Sequence, residues 1–500
     1  MSEIFQAVAA GLSGWNLVAI FAGTAWGILA GALPGITGAI GVALILPFTF
    51  GMSPGVALGL LTASYAGSMF GGSISSILLG APGTTSAAAT LMDGYPLHKQ
   101  GKSGLALGTA LCGSTIGGIF GSLVLITFCT PLAKVALLFG PPEYFALGLF
   151  GLTVLSALSK SLIKGFISGI FGMMVASVGI DKLVGLERYT FGMFDLVGGV
   201  EFLPALIGLF ALSEMFIQGS QLHEARVPTE EEKRLSMTLP SLSTIWGLRK
   251  SISIGAVIGT IIGIMPGAGG SIGSWVAYAQ AQRFSATPEE FGKGCLEGIA
   301  APEAANNASE GGALIPMLAL GIPGSNTTAI MLGALTLQGI TPGPSLFTDM
   351  PEVVWSIYAS CFLANFVILS LGFFILKPVL KITTIPVHFV VSSIIILLFT
   401  AAFAIKSDPF DLWVMLVFGL IGLLMKRFKF SVPAAVLGMV LGPIIELSLQ
   451  RSLMISHGDW TVFFTRPVSL GFMVLTALSF AYGIYANREK PKVAAVESPA

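Results

Sequence analysis

Apolar runs long enough to cross a lipid bilayer recur along this chain from residue 15 to residue 486. A bilayer core offers no water to unpaired backbone groups, so segments that cross it fold as α-helices or as closed β-barrels. Of the 500 residues, 54% are hydrophobic and 10% are charged, against about 25% charged in a soluble domain. At roughly 20 apolar residues per spanning helix, the sequence predicts an all-α polytopic membrane protein with about 11–13 transmembrane segments.

Charge, cysteine and histidine usage narrow the function further. The 25 basic residues balance 25 acidic ones, whereas a nucleic-acid-binding chain carries a basic excess. The four cysteines lack CxxC spacing and the four histidines are scattered, so we predict no cofactor and no resident metal beyond a transported sodium ion. The first apolar run follows MSEIFQAVAAGLSG, which has no basic n-region, and is expected to be a retained helix.

Two related pairs of Pro-Gly motifs divide the chain. GALPGITG at 31–38 returns 232 positions later as GIMPGAGG, and GAPGTTS at 80–86 returns 241 positions later as GIPGSNT. The same order and nearly the same offset indicate an internal duplication. The larger second offset predicts an insertion in the polar segment 283–294. The expected domains are a first transmembrane repeat, a cytoplasmic connector, a second transmembrane repeat and a cytoplasmic tail, at 1–220, 221–250, 251–490 and 491–500.

Basic residues orient the two repeats. Lys and Arg concentrate in the connector and at the C-terminus, where Arg488, Lys490 and Lys492 lie, which makes both cytoplasmic by the positive-inside rule. Counting apolar runs back from these segments puts the loops after GAPGTTS and after GIPGSNT on opposite sides. This is the pattern of inverted-topology repeats in secondary transporters. Lys182 and Arg188 fall outside in this scheme, against the rule.

Each Pro-Gly pair is expected either to kink a helix or to end it, giving discontinuous helices and re-entrant hairpins. A new helix N-terminus binds anions through its free N–H groups. Residues 31–90, 264–282 and 302–345 contain no Lys or Arg, so such groups would have to bind an anionic substrate. Asp93-Gly94-Tyr95-Pro96 reads as a turn. The predicted substrate-binding residues are Gly35, Thr37, Gly38, Pro82, Gly83, Thr84, Thr85, Gly267, Gly269, Gly270, Asn306, Asn307, Pro323, Gly324, Ser325, Asn326 and Thr327.

A polar stripe runs along the apolar helix that precedes GIPGSNT. Glu303, Asn306, Asn307 and Glu310 follow helical spacing and share one face. An ionised side chain at the bilayer centre costs roughly 2.5–3.5 kcal/mol on insertion scales, so such groups face a partner or a cavity. The stripe is either a buried structural patch or a substrate or ion site. For a coupling ion, Na⁺ or H⁺, the candidate ligands are Thr37, Asn307, Ser309 and Glu310.

The long motifs resemble those of the large membrane subunit of the tripartite tricarboxylate transporters. The resemblance runs from about residue 10 to 485 and rests on GALPGITG, GGSISSILLGAPGTTSAAATLMDGYP, GIMPGAGG, APEAANNASEGGALIPMLALGIPGSNTTA and QGITPGPSLF. It implies a multi-pass carrier of the bacterial inner membrane that works with a periplasmic solute-binding protein and a small four-helix membrane subunit. Such carriers take up citrate or other carboxylates, driven by a cation gradient.

Three classes of function remain to be compared. Ion-coupled carboxylate uptake by alternating access fits two paired, discontinuous sites. An anion channel would line its pore continuously. A membrane-embedded enzyme would need a nucleophile–base pair or a metal cluster at membrane depth, and no His or Cys lies beside the motifs. We therefore predict a carrier and not an enzyme.

Overall fold

The structure is a computed structural model that describes residues 9, 12, 14–33, 36–159, 161–181, 183–220, 237–267, 269–382 and 387–488. Its regular structure is helical apart from one two-stranded ribbon, so the predicted all-α class is confirmed. The first five helices are α1 (Gly14–Ala32), α2 (Gly38–Ile45), α3 (Pro54–Leu79), α4 (Leu91–Lys99) and α5 (Ser103–Ala136). Single 3₁₀ turns follow α2 and precede α4, at Leu46–Thr49 and Thr85–Ala88.

The middle of the chain contains three helices and the ribbon. They are α6 (Pro141–Leu158), α7 (Leu162–Ala176), the antiparallel strands β1 (Gly179–Ile180) and β2 (Glu187–Arg188), and α8 (Phe202–Ser220). A 3₁₀ turn at Phe194–Leu196 precedes α8, and a π-helical segment at Ile207–Leu212 lies within it.

The remaining helices follow the second pair of motifs. They are α9 (Leu242–Gly247), α10 (Arg249–Ile264), α11 (Gly269–Phe284), α12 (Glu297–Leu320), α13 (Asn326–Leu337), α14 (Leu346–Asp349), α15 (Pro351–Ile382), α16 (Val387–Lys406), α17 (Pro409–Arg427), α18 (Val432–Ile455), α19 (Val462–Thr465) and α20 (Pro467–Arg488). A 3₁₀ turn at Pro288–Glu290 lies between α11 and α12. The expected turn at 93–96 is wrong, because those residues lie inside α4.

Eight of the described helices are long and apolar enough to cross a bilayer: α1, α5, α8, α15, α16, α17, α18 and α20. Helices α2, α7 and α13 are apolar but shorter. Helices α3 and α12 have 26 and 24 residues but carry more glycine, serine and polar side chains. The chain is thus a multi-pass membrane protein. The total of about 11–13 segments counts the shorter and more polar helices as well and stays a prediction.

The chain forms two compact units, each built from two separate stretches. Unit 1 comprises Met1–Leu137 and Glu201–Leu423, and unit 2 comprises Leu138–Val200 and Leu424–Ala500. Unit 1 therefore holds α1–α5, α8–α16 and most of α17. Both predicted repeats contribute to each unit, so the domain division at 1–220 and 251–490 stays a prediction about duplication.

Helices α1 and α3 of unit 1 pack backbone against backbone. A glycine recurs every fourth residue on the contact face of α1, at Gly23, Gly27 and Gly31, and a Cβ atom there would collide with α3 carbonyl oxygens of Leu60, Ser64 and Ser68. Small residues at this spacing allow helices in a membrane to approach closely. This glycine spacing therefore allows α1 and α3 to pack closely along their length.

Helix α12 is enclosed in the same way by two glycine-bearing helices. The glycines of α10 lie against the α12 carbonyl oxygens of Ala301, Ala305 and Ser309, and those of α5 lie against Ala300, Ala304 and Ala308. Every α12 residue from Gly298 to Ala319 is buried. The polar stripe therefore lies in the interior of unit 1 and not on its surface.

In unit 2, α7 and α18 pack closely at glycine residues, and Arg188 of β2 forms two ion pairs. The Cβ positions of Gly172 and Gly438 meet backbone of the facing helix. Arg188 Nη1 lies 2.5 Å from Glu446 Oε1 and 3.1 Å from Asp181 Oδ2. Backbone N–H groups of residues 184 and 183 also donate to Asp181 and hold the pKa of its carboxyl below its usual range. The positive charge of Arg188 is thus compensated by two carboxylates.

Candidate functional site

The first motif of each half interrupts its helix. Helix α1 ends at Ala32 and α2 begins at Gly38, where the Thr37 hydroxyl accepts from the Ile40 N–H at 3.4 Å. In the second half α10 ends at Ile264 and α11 begins at Gly269. Gly267 and Gly269 have φ of +70° and +57°, a conformation that L side chains rarely adopt. The predicted site residue Gly35 lies outside the described residues.

The second motif of each half also follows a helix that ends at a left-handed glycine. Gly80 ends α3 with φ +66°, and Gly321 ends α12 with φ +71°. In the second half α13 then starts from a reciprocal cap, in which the Ser325 hydroxyl accepts from the Thr328 N–H at 3.2 Å and Thr328 Oγ1 accepts from the Ser325 N–H at 2.8 Å. In the first half a single 3₁₀ turn follows instead. New α-helices therefore begin at three of the four breaks.

Within each half the two motifs are in contact. A Cβ atom at Gly83 would collide with the carbonyl oxygen of Gly31, and one at Gly324 would lie 2.6 Å from the carbonyl oxygen of Gly263. The glycine of each second Pro-Gly pair therefore rests on the first glycine of the preceding motif. Only glycine fits at this spacing.

The halves meet at the start of α11. Thr85 Oγ1 lies 2.7 Å from Ser271 Oγ, and a Cβ at Gly270 would lie 3.4 Å from Ser86. On the other flank a Cβ at Gly269 would lie 3.5 Å from Ser325. The adjacent glycines 269 and 270 are thus bordered by one residue from each second motif. The structure thus brings GAPGTTS and GIPGSNT together around the N-terminus of α11.

The predicted binding residues differ in their access to this region. The exposed or half-buried residues are Thr37, Pro82, Thr85, Gly267, Ser325 and Asn326. Those that are buried are Gly38, Gly83, Thr84, Gly269, Gly270, Asn306, Asn307, Pro323, Gly324 and Thr327. The Thr84 hydroxyl pairs with that of Ser86 at 3.2 Å. The hydroxyls and the amide of the accessible set are therefore the polar side-chain groups that can meet a ligand.

The two carboxylates of the polar stripe have different surroundings. Glu303 accepts hydrogen bonds from three hydroxyls, Ser73 at 2.5 Å, Ser114 at 2.7 Å, and Thr90. These donors come from α3, from α5 and from the residue before α4. Glu303 thus joins α12 to three segments of the first half and has its hydrogen-bonding capacity used there.

Glu310 is buried with its capacity unused. Among the described residues, neither carboxylate oxygen has a hydrogen-bond partner of good geometry. The Cys361 thiol of α15 faces it, but a thiol is a weak donor. An unpaired carboxylate at this depth has to be neutralised by a proton or a cation.

The amides one turn earlier are also incompletely paired. Asn306 donates from Nδ2 to the Met69 carbonyl oxygen at 3.0 Å, but its Oδ1 is unpartnered among the described residues, as are both polar side-chain atoms of Asn307. Ser309 donates to the Asn306 carbonyl oxygen at 2.7 Å and keeps a free lone pair. Carboxylate, amide and hydroxyl oxygens are ligands for hard cations. The stripe, together with Ser309, therefore carries oxygen atoms that could coordinate a cation. Thr37, by contrast, caps α2.

Sequence reasoning did not identify two residues that complete the region. The Tyr65 hydroxyl of α3 lies 3.0 Å from Ser325 Oγ, and Ser271 pairs with Thr85. Tyr65 lies 241 positions before Asn306, the offset of the second motif pair, and this correspondence could have pointed to it. Nothing local distinguishes Ser271 from the other serines of the chain.

Comparison with known proteins gives the family. The model of the tripartite tricarboxylate transporter TctA family matches residues 17–437. A protein of Agrobacterium vitis, described as "Uncharacterized 52.8 kDa protein in TAR-I ttuC' 3'region", is 37% identical over 461 residues, which are 92% of this chain and 91% of that protein. A second, "Uncharacterized protein in TAR-II ttuC' 3'region", is 37% identical over 217 residues, 43% of this chain and 90% of its own length. No solved structure matches. The chain therefore belongs to the tripartite tricarboxylate transporter TctA family and is a membrane component of such a transporter.

Proposed function

We propose that this protein is the permease of a bacterial inner-membrane carrier that imports citrate or a related carboxylate by alternating access, coupled to a cation gradient. The observation that carries the proposal is the meeting of both second motifs at the start of α11. A site shared by two helix breaks is the plan of many ion-coupled transporters.

The substrate class follows from the donors at this meeting point. Helices α2, α11 and α13 begin there or beside it, and the motif segments contain no Lys or Arg. Helix N-termini favour anions by up to about 2 kcal/mol each in partly buried geometry, and hydroxyl hydrogen bonds add roughly 0.5–1.5 kcal/mol apiece. Two such N-termini with two or three hydroxyl hydrogen bonds add up to about 5–8 kcal/mol, which corresponds to millimolar to micromolar affinity. Such weak binding suits a carrier that receives its substrate from a periplasmic solute-binding protein and acts with a small membrane subunit.

The coupling cation binds at the polar stripe in this proposal. Glu310 supplies the charge, and Asn306, Asn307 and Ser309 supply neutral oxygens. Amide oxygens coordinate Na⁺, whereas a proton would need the carboxylate alone, so the donor set favours Na⁺ over H⁺. The stripe lies beside the substrate region because a Cβ at Gly270 would be 3.2 Å from Asn306 Oδ1.

Ion pairs support the inverted arrangement of the repeats. By the same count of apolar runs, each ion pair joins an outer loop of one half to the outer end of a transmembrane segment of the other half. Arg188, which opposed that count, has its charge compensated, and Lys182 lies outside the described residues. The pairs are Arg188 with Glu446, Arg466 with Glu143, and Lys406 with Glu201.

Reconstitution tests the proposal. The purified chain, its small subunit and its binding protein are placed in proteoliposomes, and labelled citrate is followed with and without an inward Na⁺ gradient. We expect uptake that requires both the gradient and the binding protein, together with counterflow of labelled citrate into citrate-loaded vesicles. Passive equilibration without counterflow would indicate a channel. Submicromolar citrate binding by the isolated chain would contradict delivery by a high-affinity partner.

A further inference from the structure

Asp93, near the start of α4, is a fully buried carboxylate with four donors. Its Oδ1 accepts from the backbone N–H groups of Gly292 at 2.9 Å, Gly294 at 2.9 Å and Cys295 at 2.8 Å. Its Oδ2 accepts from the Tyr278 hydroxyl of α11 at 2.8 Å. A concave run of backbone N–H groups around one anion is a nest. One first-half side chain thus occupies a nest built by the second half.

The nest depends on the glycines of the sequence FGKG. Gly292 and Gly294 have φ of +84° and +101°, which L side chains rarely adopt. A Cβ at Gly298 would collide with the Asp93 carboxylate and lie 3.2 Å from the Tyr278 ring. The segment predicted as an inserted polar loop is therefore shaped to receive this carboxylate.

The contact lies at one end of the candidate site. Asp93 follows the first-half tip by a few residues, and Tyr278 lies nine residues into α11, about 14 Å from its N-terminus along the axis. Lys250, at the start of α10, donates to the Phe284 carbonyl oxygen at the end of α11, so these ends meet near the connector. Gln100 Nε2 also donates to the Lys293 carbonyl oxygen at 2.8 Å.

The opposite end of the site is held differently. At that end, α2 and α13 extend from the helix breaks at which they begin and pack against each other. Gln338 Nε2, at the end of α13, reaches the Thr49 carbonyl oxygen at 3.4 Å, a length at which a hydrogen bond is weak. The residue 241 positions after Asp93 is Ala334, which has no polar group. Helices α2 and α13 carry no charged side chain, so the contact between them has no counterpart of the Asp93 carboxylate.

We propose that Asp93 and the nest at residues 292–295 form a latch that holds the α4–α11 end of the site closed and opens when substrate leaves by that end. The latch rests on the alternating access proposed above. In that cycle the two ends open in turn, so weakening one closure raises the population open at that end and lowers the population open at the other. A staple without a gating role would loosen its own surroundings alone.

Thiol labelling at both ends tests the latch. Cys295 is a half-buried native reporter in the nest, whereas Cys112, Cys129 and Cys361 are buried. Gln338→Cys adds a reporter at the other end. In the purified full chain in lipid nanodiscs, we expect Asp93→Asn to speed maleimide labelling of Cys295 about tenfold and to slow labelling at position 338 severalfold, since the lost charge weakens four hydrogen bonds. Glu289→Gln, an exposed carboxylate of the same loop, should change neither rate.

A faster reaction at Cys295 with an unchanged or faster one at position 338 would overturn the latch and leave a local staple. If Asp93→Asn does not reach the membrane, Tyr278→Phe decides, because it removes one donor and leaves the nest occupied. We then expect changes of about twofold in the same opposite directions, and no change overturns the proposal. The readout needs no substrate, so it can fail while carboxylate transport stands.

Discussion

The α1–α3 and α10–α12 helix pairs have the same packing but different interiors. The glycines of α10 follow those of α1 by 232 positions, and the α12 carbonyls that they meet follow those of α3 by 241 positions, which are the offsets of the two motif pairs. Ser68 and Ser309, at matching positions, each donate to the carbonyl oxygen three residues earlier at 2.7 Å. The two pairs thus make equivalent contacts where their backbones touch, which is what the predicted duplication requires.

The side chains between those contacts have diverged. Where α12 has Glu303, Asn307 and Glu310, the matching positions of α3 have Thr62, Ala66 and Met69. Close backbone packing tolerates no added Cβ, whereas the neighbouring positions accept any side chain that finds a partner or a ligand. Both helix pairs therefore provide the same backbone packing, whereas α12 alone provides the side chains of the proposed cation site.

The largest effect should come from breaking the shared packing. Gly27→Leu in α1 and Gly259→Leu in α10 push a side chain into the backbone of the facing helix, where overpacking costs about 1–3 kcal/mol or more. We expect each to reduce folded protein in the membrane at least tenfold, measured by size-exclusion chromatography of detergent extracts. Gly471→Leu on α20, with nothing within 4 Å of its Cβ, should have little effect. A strong loss from one variant and none from the other would end the equivalence of the two pairs.

The next effect should appear in α12 alone. Asn307→Ala and Glu310→Gln remove unpaired groups, so we expect near-normal membrane expression and Na⁺-driven uptake lowered tenfold or more. Thr62→Val is the matched control in α3, because the Thr62 hydroxyl donates to the Leu58 carbonyl oxygen of its own helix at 2.8 Å. It should leave uptake within about twofold, since that bond contributes little to helix stability. Expression that falls in parallel with uptake would make the stripe structural.

Local signals in the sequence predicted the frame of this protein. Apolar runs gave the class, and Pro-Gly pairs gave the helix ends near Ala32, Leu79, Ile264 and Leu320, because Gly and Pro act on the backbone around them. The polar stripe was also visible by its spacing. The sequence did not reveal that a 3₁₀ turn, rather than a new α-helix, follows GAPGTTS.

Contacts between residues that are distant in sequence determine the features that the sequence did not predict. Glu303 and Glu310 look alike in the sequence, yet hydroxyls from α3, α5 and the residue before α4 pair with the first and not with the second. Asp93 lies in the sequence Asp-Gly-Tyr-Pro, whose composition is typical of a turn. Four hydrogen-bond donors about 200 positions away bind its carboxylate, and the residue lies within a helix. Local propensity is a weak prior where tertiary contacts of this kind compete with it.

The smallest effect should separate the two helix caps that face the site. Ser325 caps α13 reciprocally with Thr328 and also meets Tyr65, whereas Thr37 caps α2 through one bond of 3.4 Å. Losing a cap costs about 1 kcal/mol, roughly fivefold in an equilibrium constant. We expect Ser325→Ala to raise the KM for carboxylate uptake about fivefold and Thr37→Ala about twofold, with maximal rates unchanged in proteoliposomes. Tyr65→Phe leaves the cap intact and should fall between them. A larger effect at Thr37 would mean that substrate binds mainly at α2, and the second half would then supply the cation ligands without the main anion contacts.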